Sequence, residues 1–169
     1  MKEILFLNPE NVSEEMQAAY SLREAVRAVV LDQDGNVALL HARKTNYYKL
    51  PGGGIDDDVD KISALKRECL EEIGCEIEIL NEIGLVNEWR KFCELRQISC
   101  CYIAQVSDTK GTPSFTESEL AEGFEIIWVS YDEALLKLKG STATQIVSKD
   151  YMVPRDTAIL ESARKYLIS

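Results

Sequence analysis

Three glutamates, Glu68, Glu71 and Glu72, stand at i, i+3 and i+4 in the chain. On an α-helix that spacing puts them on one face, within about 100° of arc. Three carboxylates so close repel one another, and a helix tolerates them best with a hard divalent cation among them. A cation held only by oxygen points to phosphate chemistry. Just upstream runs Gly52-Gly53-Gly54, which lets the backbone pass close to a metal or a phosphate, with Gly53 or Gly54 expected at positive φ. For the glutamates alone a solvated helix face is an equal reading, because glutamate is a good helix former. The glycine run and Gly74, in register with them, favour the metal.

These residues need elements to hold them. Asp60 is placed to N-cap a helix with Ser63 at its third position. Ile62, Leu65, Cys69 and Ile73 recur at helical spacing and form its buried stripe, with the glutamates on the other side. Gly74 ends it in a left-handed cap. Before the helix, residues 22–31 and 37–42 read as two strands joined by the turn Asp32-Gln33-Asp34-Gly35-Asn36. This hairpin would feed a loop over residues 43–49 and then Leu50-Pro51-Gly52-Gly53-Gly54-Ile55. Residues 76–88, 97–106 and 124–129 read as further strands. Residues 110–123 read as a long polar loop. Ser130 opens a helix that runs through Leu138. Residues 154–167 read as a terminal helix with Pro154 in its first turn, where Asp156 suits the helix dipole. Residues 1–20 are an edge strand and a short helix, or an arm. With no repeat or linker, the pattern predicts one α/β layered domain over residues 1–169.

Composition bounds the function. The chain has 169 residues, 46% of them hydrophobic and 28% charged, which suits one globular domain with a full core. A formal net charge of −10 argues against binding that relies on neutralising a nucleic-acid backbone. It leaves a nucleotide substrate open, because bound cations reverse the local field. The cysteines, Cys69, Cys75, Cys93, Cys100 and Cys101, are odd in number and lack a Cys-x-x-Cys pair. With a single histidine, His41, a structural zinc site is not expected. Cys69 and Cys75 read as small core hydrophobes. Cys100 and Cys101 should point to opposite faces of one strand. The pattern suits a reducing cytoplasm, and no segment is apolar for long enough to span a bilayer.

Gly53 and Arg67-Glu68-Cys69-x-Glu71-Glu72-x-Gly74-Cys75 resemble the Nudix box. That pattern is Gly, five residues, Glu, seven residues, then Arg-Glu-apolar-x-Glu-Glu-x-Gly-apolar. Every fixed position matches but one, for Val59 stands where the family has its first glutamate. The flanks, residues 50–55 and 122–129, are also similar to the family, and the resemblance covers about residues 22–138, the expected domain core. The resemblance implies an α/β/α sandwich with a mixed central sheet. It implies Mg²⁺- or Mn²⁺-dependent hydrolysis of a nucleoside diphosphate linked to another group, by attack of water at phosphorus. Glu68, Glu71 and Glu72 would bind the metal, one of them serving as general base, and Arg67 would orient them by ion pairing. Glu119 or Glu122 could supply the extra carboxylate that the family often places before its last strand; solvation is the plainer account of each. Asp58 or Asp60 could stand in for the glutamate missing at Val59, or the site is weakened. Homodimers are common in the family.

Substrate contacts are less constrained. Arg43 and Lys44 end a strand on the way to the glycine loop, where with Gly53 and Gly54 they could meet phosphate. Trp89 is the preferred residue to stack on a base, ahead of Tyr47, Tyr48 and Tyr102, although packing explains each of them. His41 reads as a strand residue near the surface. The expected substrate is a small nucleotide: a nucleoside triphosphate, or a nucleotide sugar such as ADP-ribose. The alternative is a domain of the same fold that senses nucleotide or binds protein without turnover. Its support is Val59, and the three intact glutamates oppose it.

Overall fold

The computed structural model describes residues 1–56, 60–107 and 109–167. Val59 and Asp58 lie outside the described residues. In chain order the elements are β1 (Glu3–Leu7), α1 (Glu14–Gln17), β2 (Ser21–Leu31), β3 (Val37–Ala42), β4 (Tyr47–Lys49), α2 (Lys61–Ile73), β5 (Ile77–Arg90), β6 (Leu95–Val106), α3 (Glu117–Glu122), β7 (Phe124–Val129), α4 (Tyr131–Lys139) and α5 (Val153–Leu167). A π-helical turn, Val147–Met152, leads into α5.

The strands form one mixed sheet in the order β1-β5-β6-β2-β3-β4, with β7 paired to β3. β2 runs parallel to β6 along its whole length, and β5 is antiparallel to β6. Alternation along the strands sorts the core into two layers. Val26, Ala28 and Val30 of β2, with Cys100, Tyr102 and Ala104 of β6, face Leu65, Cys69 and Ile73 of α2. Val29, Cys101 and Ile103 face the other way, against Ala134 and Leu138 of α4 and Ile159, Leu160 and Ala163 of α5. This is the expected α/β/α sandwich. Cys69 and Cys75 are buried in the α2 layer, and Cys100 and Cys101 fall in opposite layers, as the alternation requires.

Three local readings need correction. The expected hairpin is a hairpin only at its turn, because β2 and β3 pair at Leu31 and Val37 alone. Beyond that point β3 turns to β7 and β4, so the stretch expected as a loop up to Lys49 ends in a short strand. The polar stretch before β7 contains α3, closed by a capping box in which Thr116 and Glu119 bond each other's backbone. Finally, positive φ falls on Gly52 (130°), not on Gly53 or Gly54. There the backbone lies so close to β2 that a Cβ would sit 2.2 Å from the Val26 carbonyl oxygen.

Candidate active site

The site is built where the glycine loop runs beside β2 and under the start of α2. Val26 N donates to the Gly53 carbonyl (2.9 Å) and Ala28 N to the Pro51 carbonyl (3.0 Å), so the loop is fixed to the sheet by backbone hydrogen bonds. α2 then starts and stops on the expected residues. The Asp60 side chain accepts from Ile62 N and Ser63 N, and Gly74 closes the helix at φ 66°.

Glu68 projects back onto this loop. A Cβ added to Gly53 would fall 2.3 Å from the Glu68 carboxyl carbon, so only glycine leaves room for the carboxylate there. Burial and the neighbouring Glu72 charge push the Glu68 pKa above its ordinary value, and Arg67 offsets them only in part. Arg67 donates from Nη1 to Glu68 Oε1 (2.9 Å) and to Glu71 Oε2 (3.2 Å), and from Nη2 to the Gly54 carbonyl (3.2 Å). One guanidinium thus ties both carboxylates to the glycine loop.

Glu72 departs from the expected solvent-facing side. It is buried, with Oε1 accepting from Lys49 Nζ (2.6 Å) and Oε2 from Gly52 N (2.7 Å). Glu119 lies near it: its Oε1 is 3.9 Å from the same Lys49 ammonium, and its Oε2 accepts from Thr116. Glu122 instead accepts from Thr45 Oγ1 at 3.1 Å. Among the described residues no three metal-binding side chains converge into a cage. A site for Mg²⁺ does not need one, because that ion keeps several waters and takes few carboxylates. Glu68, against Gly53, and Glu71, on the same Arg67 guanidinium, are the carboxylates that could hold such an ion.

Of the residues expected at the substrate, Arg43 and Lys44 are exposed at the end of β3, near Glu125 and the Glu122 carbonyl respectively. Trp89 is buried, between Tyr20 (ring centroids 5.7 Å) and the Arg96 guanidinium (5.2 Å). His41 stacks on Tyr48 at 4.2 Å and meets Glu125 Oε1 at 3.0 Å.

A buried layer of charge beneath the loop has no counterpart in the sequence reading. Asp156, assigned there only to the helix dipole, is fully buried; it accepts from Leu50 N (2.9 Å) and from Arg155 Nε (2.6 Å). Arg155 in turn lies 3.8 Å from Glu88, which accepts from Arg90 at 2.6 Å. Burial would lower the Arg155 pKa, but Asp156 and Glu88 outweigh it and raise it. Nearby Arg27 is lowered to about 10, first by burial and then by Arg155. Pro154-Arg155-Asp156 opens the last helix, yet nothing local in that tripeptide indicates a partner at Leu50.

The NUDIX domain family model matches residues 21–149, so the chain belongs to the Nudix family and is a hydrolase of the Nudix type. No curated protein matches it. Among solved structures, a NUDIX hydrolase from Nitrosomonas europaea superposes with TM-score 0.65 at 18% identity, covering 86% of this chain and 90% of that one. The E. coli ORF135 protein superposes with TM-score 0.60 at 20% identity, over 89% and 94%. The MutT protein from Methanosarcina mazei Go1 gives 0.58 at 19% identity, over 87% and 96%. At these identities the likeness is one of fold.

Proposed function

We propose that this chain is a Mg²⁺- or Mn²⁺-dependent pyrophosphohydrolase that cleaves the phosphoanhydride bond of a small nucleotide, either a nucleoside triphosphate or a nucleotide sugar such as ADP-ribose. One observation carries the reading. The Glu68 carboxylate, held beside Glu71 by Arg67, rests against the Gly53 backbone, where a Cβ would displace it. When bound there, the cation would neutralise the diphosphate and lower the pKa of water.

The reading gives each of the chain's own residues a part. Glu68 and Glu71 would hold the ion, and one of the two would take up the proton released by the attacking water. Arg67 keeps the two carboxylates in one orientation. Gly53 and Gly54 leave the phosphate path open, and Arg43 and Lys44 supply positive charge at its rim. The reading treats the chain as a single Nudix-like domain. It places the reaction in a reducing cytoplasm, in keeping with five free cysteines. No described helix is long and apolar enough to cross a membrane.

The test is product analysis on a panel of nucleoside triphosphates and nucleotide sugars with Mg²⁺, Mn²⁺ or chelator. Expected is metal-dependent release of a nucleoside monophosphate, with oxygen from labelled water at phosphorus. No turnover on any member, with Mn²⁺ still bound, would favour the nucleotide-sensing alternative.

A further inference from the structure

Both carboxylates on the far side of the site are arranged around one ammonium. Glu72 gives one oxygen to Gly52 N and the other to Lys49 Nζ. Glu119 gives one oxygen to the Thr116 cap and turns the other towards the same Nζ, at 3.9 Å. The Lys49 side chain is only 10% exposed and Glu72 only 6%, and the Phe124 ring lies 4.9 Å from Nζ. Lys49 is the last residue of β4, its backbone paired with Leu40 of β3, so the sheet holds the base of the side chain. A lysine ammonium is a compact point charge with three donors. Here it meets two carboxylates and an aromatic face. A pair of glutamates so placed would otherwise call for a divalent ion.

We infer that Lys49 is a built-in cation for the Glu72–Glu119 half of the site and takes the place of a divalent ion there, so that divalent binding is confined to the Glu68–Glu71 half. The lysine acts as a positioning residue. It holds Glu72 against the Gly52 amide and so fixes the glycine loop on which Glu68 rests. This inference rests on the proposed function in that it takes the divalent ion to bind at Glu68 and Glu71.

The test is Lys49→Met, which keeps an unbranched side chain one atom shorter and removes the charge. Mn²⁺ bound per chain is counted by electron paramagnetic resonance, and melting is followed with and without Mn²⁺. The variant should bind one more Mn²⁺ than the wild type, and Mn²⁺ should raise its melting temperature more than that of the wild type. If it folds only with metal, recovery of its circular dichroism on adding Mn²⁺ is the same result. Adding Glu119→Gln should remove the gained ion.

Equal Mn²⁺ counts, with a melting deficit unchanged by metal, would overturn the inference. So would a variant that stays unfolded in Mn²⁺, or an extra ion that survives Glu119→Gln. Because the gain is measured against the wild type, it stands or falls separately from Mn²⁺ binding at Glu68 and Glu71, which tests the proposed function itself.

Discussion

The adjacent glycines Gly52 and Gly53 do different work, and substitution should separate them. At Gly52 a Cβ meets main chain, the Val26 carbonyl oxygen at 2.2 Å, and φ is 130°. Main chain of a central strand cannot give way, so Gly52→Ala should destabilise the fold by about 2–4 kcal/mol, read as a lowered midpoint in urea. At Gly53 the Cβ meets the end of the Glu68 side chain, which can rotate away. Gly53→Ala should therefore fold nearly as well as the wild type and lose roughly 100-fold in turnover, because the displaced carboxylate no longer holds its geometry. Equal stability loss in both variants would contradict this division.

At the scale of elements, the turn between β2 and β3 is held by a buried carboxylate. Asp32 accepts from Asn36 N and Asp34 N, and from Lys110 Nζ at 2.6 Å. Burial raises its pKa, but the bonds from Lys110 and Asn36 outweigh it and bring it from the ordinary 3.8 down to about 2. A carboxyl with a depressed folded pKa stabilises the fold above its unfolded pKa, and that stability is lost as pH falls through the folded one. Asp32→Asn should thus cost on the order of 2 kcal/mol at neutral pH. In urea melts, the gap to the wild type should close between pH 3.8 and about pH 2. A gap that stays constant over that window would show that the Asp32 charge is not involved. Local signals of this kind made much of the fold legible. The α2 helix, its Asp60 and Gly74 caps and its buried stripe are written within fifteen residues of sequence, and the box register follows from them. The α3 helix was not read: Thr116 and Glu119 carry the spacing of a capping box, but the polar composition of the stretch reads as loop. The three-residue strand β4 is too short for its alternation to show.

At the scale of the whole molecule, the last helix and the glycine loop form one unit. Asp156 bonds Leu50 N across 106 positions of sequence, and Lys49 reaches Glu72 across 23. Such pairs exist only once the sheet has brought β4, α2 and α5 together, which is why spacing could propose Glu68 and Glu71, and the family resemblance Arg67, while nothing local pointed to Lys49, Asp156 or Arg155. The buried charges hold the loop, and the loop in turn positions Glu68. The claim at the centre of this account is that Glu68 and Glu71 carry metal-dependent hydrolysis. The most direct measurement is kcat/KM of the double variant Glu68→Gln/Glu71→Gln on the best substrate of the panel, across a Mg²⁺ titration and at matched thermal stability. A fall of about 1,000-fold or more, equivalent to about 4 kcal/mol of transition-state stabilisation, together with loss of the Mg²⁺ dependence, is the predicted result. Turnover within about threefold of the wild type, with the Mg²⁺ dependence intact, would place the chemistry elsewhere and contradict the account.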